Sequence, residues 1–256
     1  MKRDFHLHTT FSDGADTPRE VVGEAIAKGL SAVGFSDHSF VSFDTGGCLP
    51  PDCSGYIAEI ARLKAEYHGR IDIYCGIEQD VCSGAVGDGF DYSIGSVHYI
   101  DTGDGYLPVD LSAGDLISAA KKYFGGDMLA LTEKYFESAA KVISVTKADI
   151  IGHFDLISKF NEGDALFDSG SKRYISACTD AADALIAENK PFEINTGAVS
   201  RGYRSECYPS YKIAEYIKSR GGRFILSSDS HKKETLCFGF DELERRFHNS
   251  IVSLTF

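Results

Sequence analysis

Basic residues are in short supply in this sequence. There are 26 lysines and arginines against 38 aspartates and glutamates, a formal charge of −12 over 256 residues. A surface of that sign repels phosphate backbones, which excludes nucleic acid as a default partner. Prolines number only 6, so proline-rich disordered and fibrous classes are set aside. The 7 cysteines are odd in number and include no CxxC pair. A disulfide framework is therefore not expected, and the thiols read as small apolar residues in a reducing cytosol. No apolar run reaches the roughly 18 residues of a membrane span. The opening stretch is broken by Asp4, His6 and His8, so neither a signal peptide nor an anchor is read there. These absences describe a cytoplasmic protein with no membrane partner.

What is present is a globular composition, 43% hydrophobic and 25% charged, long enough for one α/β domain with a sizeable core. Apolar runs of strand length fall at Asp4 to Leu7, Ala32 to Phe35, Ile71 to Ile77, Tyr92 to Val97, Asp149 to Gly152, Phe192 to Asn195 and Arg223 to Leu226. Amphipathic stretches separate them. Thr17 is placed to cap the first helix, with Pro18 at its first position, Glu20 completing a capping box and Gly29 closing it. Further helices are predicted from Ser54 to His68 and over 112–124, 127–146, 171–188 and 209–220. This alternation predicts a parallel sheet closed into an α/β barrel in a single domain, residues 1–256. Residues 101–147 exceed one crossover helix and are read as a helical excursion over the barrel mouth, the alternative being padding of the outer helix ring. No helix surface shows a clear exposed apolar stripe, so the oligomeric state is unknown at this stage.

The histidines fall at particular places on that frame. His6 and His8 end the first strand, and alternation points positions i and i+2 to one side. His38 follows the second strand, Glu78 ends the third, His98 the fourth, and His153 follows the fifth. Asp229 and His231 follow the seventh. All sit at the carboxyl ends of predicted strands, the barrel face on which loops build active sites. Each motif alone says little, but their concurrence on one face points to metal binding. His68 and His248 lie off that face and read as solvated residues.

Imidazoles and carboxylates without a thiolate suit Zn, Fe or Mn. The set exceeds the roughly four or five ligands one ion takes, so two to three divalent ions are expected. Closely spaced ions serve displacement at phosphorus, lowering the pKa of a bridging water and neutralising phosphoryl charge. Lys159 and Arg201 follow strands at the same end and could grip phosphate from outside the ions, with Arg204 a competitor.

The ordered series His6-Leu7-His8, Ser12-Asp13-Gly14, Ser36-Asp37-His38, Gly76-Ile77-Glu78, Gly95-Ser96-Val97-His98, Gly152-His153-Phe154-Asp155 and Ser228-Asp229-Ser230-His231 resembles the polymerase and histidinol phosphatase (PHP) family over nearly the whole chain. Tyr92 to His98 and Gly152 to Phe160 are most similar to its stand-alone histidinol-phosphate phosphatase branch. The resemblance implies a distorted seven-stranded TIM-like barrel with a trinuclear metal centre, and hydrolysis of L-histidinol phosphate in histidine biosynthesis. Carried over by motif, His6, His8, Glu78 and Asp229 would hold one ion, and Glu78, bridging, would hold a second with His98 and His153. His38 and His231 would hold the third. Many members add a histidine from the loop after the first strand, where this chain has Asp13. Lys159 stands where this branch tends to carry an arginine.

On this reading a metal-bridging hydroxide attacks phosphorus while Arg201 and Lys159 hold the ester. Asp229 or His231 protonates the leaving alkoxide. Glu78 is essential as the bridge. A cationic amino group on the substrate suits an acidic mouth, where Asp or Glu of the excursion could read it. The alternatives are a PHP phosphoesterase acting on another small phosphate ester, an amidohydrolase-type barrel, and a non-catalytic metal-binding module.

Overall fold

The residues from Thr17 to Glu20 show how local sequence sets local structure here. The Thr17 side chain accepts from the Glu20 backbone N–H, the Glu20 carboxylate accepts from the Thr17 N–H at 2.9 Å, and Pro18 starts the helix. Val21, Val22 and Ala25 then face inward. The same logic repeats around a computed structural model that describes residues 2–83, 87–254 and 256.

In chain order the elements are β1 (Arg3–Asp4), α1 (Pro18–Ala27), β2 (Ala32–Phe35), α2 (Ser54–Glu66), β3 (Asp72–Asp80), β4 (Tyr92–Ser96), β5 (Tyr99–Asp101), β6 (Tyr106–Pro108), α3 (Ala113–Tyr123), α4 (Met128–Ala139), α5 (Val142–Thr146), β7 (Ile150–Ile151), α6 (Lys172–Ala187), β8 (Phe192–Asn195), α7 (Gly197–Ser200), α8 (Tyr211–Ser219), β9 (Phe224–Ser227) and α9 (Phe240–Phe247). The 7-stranded sheet runs β1-β2-β3-β4-β7-β8-β9, every pairing parallel. Beyond β1 and β9 a single bridge, Leu7 to Ser230, brings the two edges together, with His8 N–H donating to the Ser230 carbonyl at 2.9 Å. The result is a nearly closed barrel with helices outside, as the resemblance implied.

Several boundaries differ from the sequence reading. The first strand forms a ladder with β2 only at Arg3–Asp4; further along, the Leu7 N–H donates to the Ser36 hydroxyl at 3.2 Å rather than to a backbone carbonyl. The stretch 127–146 is two helices: a turn at Ala140 and Lys141 lets Val142 and Thr146 pack on Gly95 of β4. Residues 101–147 do not act as one helical unit. The β5–β6 hairpin, which periodicity did not reveal, and Asp110 stand at the mouth, whereas α4 packs against α6 in the outer ring. Among the described residues no helix is long and apolar enough to cross a membrane.

The two ends of the barrel differ in chemistry. At the amino end, Tyr92 fills the interior, its hydroxyl donating to the Phe5 carbonyl at 2.5 Å and its ring stacked on Phe256 at 4.6 Å. Phe5 and Tyr74 meet the same cluster edge-on. That floor needs glycine beside it, since a Cβ on Gly76 would lie 2.2 Å from the Tyr92 ring. At the carboxyl end the interior is polar, which places the chemistry there. Gly76→Ala is expected to lower stability by about 1–3 kcal/mol through overpacking. Gly23→Ala, on the exposed side of α1 with nothing within 4 Å, should raise it by about 0.5–1 kcal/mol. Urea unfolding midpoints of the two variants check both signs.

Candidate metal centre

Glu78, at the end of β3, is 1% exposed and ringed by imidazoles. His153 Nε2 lies 2.8 Å from Oε1, and His38 Nδ1 2.9 Å from Oε2. His6, His98 and His8 follow at 3.3, 3.5 and 3.5 Å. Asp229 closes the ring from β9, 3.3 Å from His8 Nε2. Asp13 reaches over from the loop after β1 to His231 at 3.1 Å and His38 at 3.7 Å. All the ligands expected from sequence are therefore in one cluster, while His68 and His248 are exposed and remote from it. No cysteine joins the ligands: all 7 are unpaired, Cys75, Cys178 and Cys207 buried and the other four partly exposed.

The donors fall into overlapping groups: His8, Asp13, His38 and His231; His6, His8 and Asp229; His38, Glu78 and His98. His38 and His231 fall together with Asp13, and His6 and His8 with Asp229, while His8 and His38 each belong to two groups. His153 stays with Glu78. Both ring nitrogens of His8, His6 Nε2, His153 Nδ1 and Glu78 Oε2 are buried without a hydrogen bond. Leaving such groups unsatisfied costs about 1–3 kcal/mol each. Divalent cations fit this donor set, because they take imidazole lone pairs and carboxylate oxygens together.

The protonation pattern follows from geometry. Burial opposes the charge on Glu78, but His6, His98 and His38 outweigh it and hold its pKa well below the ordinary carboxylate value. Asp229 is likewise lowered against burial, chiefly by Arg201 and then His6. Burial, with His231 and His38 alongside, pushes His8 down to about 3. Burial also works against His98, yet Glu78 and a hydrogen bond to Asp80 lift it to about 10.

Behind the ligands lie carboxylates that sequence reading missed. Glu193 of β8, 0% exposed, accepts from His6 Nδ1 at 2.6 Å, the His153 N–H at 2.9 Å and Asn195 Nδ2 at 3.0 Å. It fixes the tautomer that aims His6 Nε2 inward. Its signal was a lone carboxylate in the otherwise apolar run Phe192-Glu193-Ile194. Asp80 holds His98 through its backbone N–H at 2.6 Å and Nδ1 at 3.3 Å. Asp37 anchors the β1 loop, accepting from Thr9 N–H at 2.8 Å and Ser12 Oγ at 2.6 Å.

Arg201 sits beside the cluster, Nη2 3.2 Å from Asp229 Oδ2 and Nη1 2.7 Å from His231 Nδ1. This contact requires Gly197, where a Cβ would come 2.6 Å from Asp229 Oδ2 and 2.8 Å from Arg201 Nη2. Asp229 itself adopts φ 49°, a left-handed conformation of the kind stored at functional sites. Lys159 is 11% exposed and donates to the Asp110 carbonyl at 2.7 Å and carboxylate at 3.2 Å. Arg204 donates to the Ser158 carbonyl and hydroxyl, over the Tyr208 ring.

Glu78→Gln is expected to lower bound Zn or Mn per chain, measured by plasma mass spectrometry after loading and desalting; full retention would exclude Glu78 as a ligand. Glu193→Ala should weaken ion affinity by about 10- to 100-fold while leaving the ligands in place, read by calorimetric titration.

Comparison with known proteins gives this geometry its context. The chain is 27% identical to the histidinol-phosphatase of Bacillus subtilis (strain 168), over 96% of this chain and 99% of that protein. It is 28% identical to the histidinol-phosphatase of Lactococcus lactis subsp. lactis (strain IL1403), over 90% of this chain and 84% of the relative. A crystal structure of histidinol phosphate phosphatase from Lactococcus lactis, complexed with Zn, L-histidinol and phosphate, has the same fold at a TM-score of 0.72 and 22% identity, covering 97% of this chain and 93% of that one. A Listeria monocytogenes structure superimposes at a TM-score of 0.79 with 21% identity, over 94% and 99% of the two chains. The PHP domain profile matches residues 4–197, about three quarters of the sequence, and the chain belongs to the PHP domain family.

Proposed function

We propose that this chain hydrolyses L-histidinol phosphate to L-histidinol and inorganic phosphate. The observation that carries the reading is a cationic arginine set against a buried carboxylate–imidazole cluster at the mouth of a barrel. Support comes from the histidinol-phosphatases that align with nearly all of the chain, and from the Zn, L-histidinol and phosphate bound by the structure of like fold.

His6, His8, Asp13, His38, Glu78, His98, His153, Asp229 and His231 would hold two to three divalent ions, Zn, Fe or Mn. When bound, such ions supply Lewis acidity toward phosphoryl oxygens and lower the pKa of water. The chain's own residues do the rest. Arg201 offers a planar fork to the phosphoryl group, and Asp229 and His231 hold that fork in place. Lys159 adds a point charge, fixed by Asp110 below and by the rings of Phe160 and Tyr203 at 5.5 and 5.0 Å. Arg201 and His6 keep Asp229 ionised, which suits it to hold an ion and the Arg201 fork rather than to protonate the leaving alkoxide. His231 Nδ1 lies 2.7 Å from Arg201 Nη1, and its Nε2 lies 3.1 Å from Asp13 Oδ2.

The test is phosphate release from L-histidinol phosphate by protein reconstituted separately with Mn, Zn and Fe, beside a panel of nucleotide and sugar phosphates. Turnover of histidinol phosphate above the panel is expected; turnover of another ester alone would overturn the reading. Arg201→Ala should retain its ions but raise KM by about 10- to 100-fold, the loss of a charge-assisted hydrogen-bond pair.

A further inference from the structure

We propose that Asp44, aimed by the Tyr99 hydroxyl, selects phosphate esters whose leaving alcohol carries a positive charge. The inference rests on the phosphatase reading and extends it to the leaving-group side of the site. A cavity of about 160 Å³ opens beside the cluster, lined by Glu78, His98, Tyr99, Asp44, Asp110 and Leu111 among others. Neither Arg201 nor Lys159 is among its walls, although Asp110, which holds Lys159, is.

The charges in that cavity are unequally matched. Asp13 faces His231, Asp80 faces His98, Asp110 faces Lys159, and Glu78 faces its ring of imidazoles. Asp44 meets neutral donors alone among the described residues: Tyr99 Oη donates to Oδ2 at 2.7 Å and the Gly46 N–H to Oδ1 at 3.2 Å. Hydroxyl and amide donors orient a carboxylate without cancelling its charge. Asp110, the acid of the 101–147 stretch that lines this cavity, is paired with Lys159.

Asp44 is also held in place. Phe43, its neighbour, stacks on Tyr106 of the β5–β6 hairpin with centroids 3.8 Å apart and meets Tyr99 edge-on at 4.9 Å. Gly47 packs against Asp13, where an added Cβ would come within 3.2 Å. The loop after β2 is thus pinned across the mouth from two sides, with its uncompensated carboxylate facing the space beside the cluster. L-histidinol, with an ammonium and an imidazole, has the charge this position recognises.

The experiment measures kcat/KM with the metal-loaded enzyme on two pairs of esters: L-histidinol phosphate against glycerol phosphate, and 2-aminoethyl phosphate against ethyl phosphate. In Asp44→Asn the preference for the charged member is expected to fall by about 10- to 100-fold. In Tyr99→Phe, which keeps the carboxylate but loses its aim, the preference should fall less. Preferences equal to the parent's in Asp44→Asn would overturn the proposal, as would an equal loss on charged and neutral esters. A parent that favours 2-aminoethyl phosphate but ignores histidinol phosphate would sink the histidinol reading and keep the charge subsite; a parent active on histidinol phosphate whose preference survives Asp44→Asn would do the reverse.

Discussion

A single buried carboxylate organises the mouth of this barrel. Glu78 is 1% exposed, and His6, His8, His38, His98 and His153 all present ring nitrogens to it within 3.5 Å. An isolated carboxylate in that position would be prohibitively costly to ionise. Surrounded by imidazoles, it stays charged, and every strand that supplies one of those rings must end at the same height. The position of Glu78 therefore constrains β1, β2, β3, β4 and β7 together.

The layer behind it converts that constraint into precision. Glu193 ties the His6 ring to the His153 backbone, so β1 and β7 are referenced to β8 through one side chain. Asp80 does the same for His98, and Asp37 secures the loop that carries Asp13. These acids explain part of the excess of negative charge noted in the composition: they are internal struts rather than a solvated face. The aromatic floor of Phe5, Tyr74, Tyr92 and Phe256 seals the opposite end, leaving access to the cluster from the loop side.

Much of the fold was legible because its signals are local. The runs Ala32 to Phe35 and Phe192 to Asn195 match their strands end to end, and the capping box at Thr17 formed as its residue types require. Where neighbours intervene, the reading slipped: the Ser36 hydroxyl takes the Leu7 N–H from the β1 ladder, and the chain turns at Ala140 and Lys141 so that Val142 and Thr146 pack on β4. The β5–β6 hairpin is too short for periodicity to show, although Thr102-Gly103-Asp104-Gly105 is a turn signal. In the site, the histidines were visible because polar residues at the ends of apolar runs stand out. Glu193 escaped notice because a carboxylate within a strand has no motif, and its meaning depends on which ring it faces.

Residue order alone determined the barrel, the face that carries chemistry and the donor types gathered on it, since strand alternation and helix capping act over a few residues. Tertiary structure alone decided how those donors are shared. His8 and His38 each lie between two groups, Lys159 is positioned by Asp110, and Asp44 is left with neutral donors among the described residues. Such outcomes turn on distances of a few ångströms between strands far apart in the chain, and electrostatic energy depends on those distances and on burial, neither of which sequence spacing records.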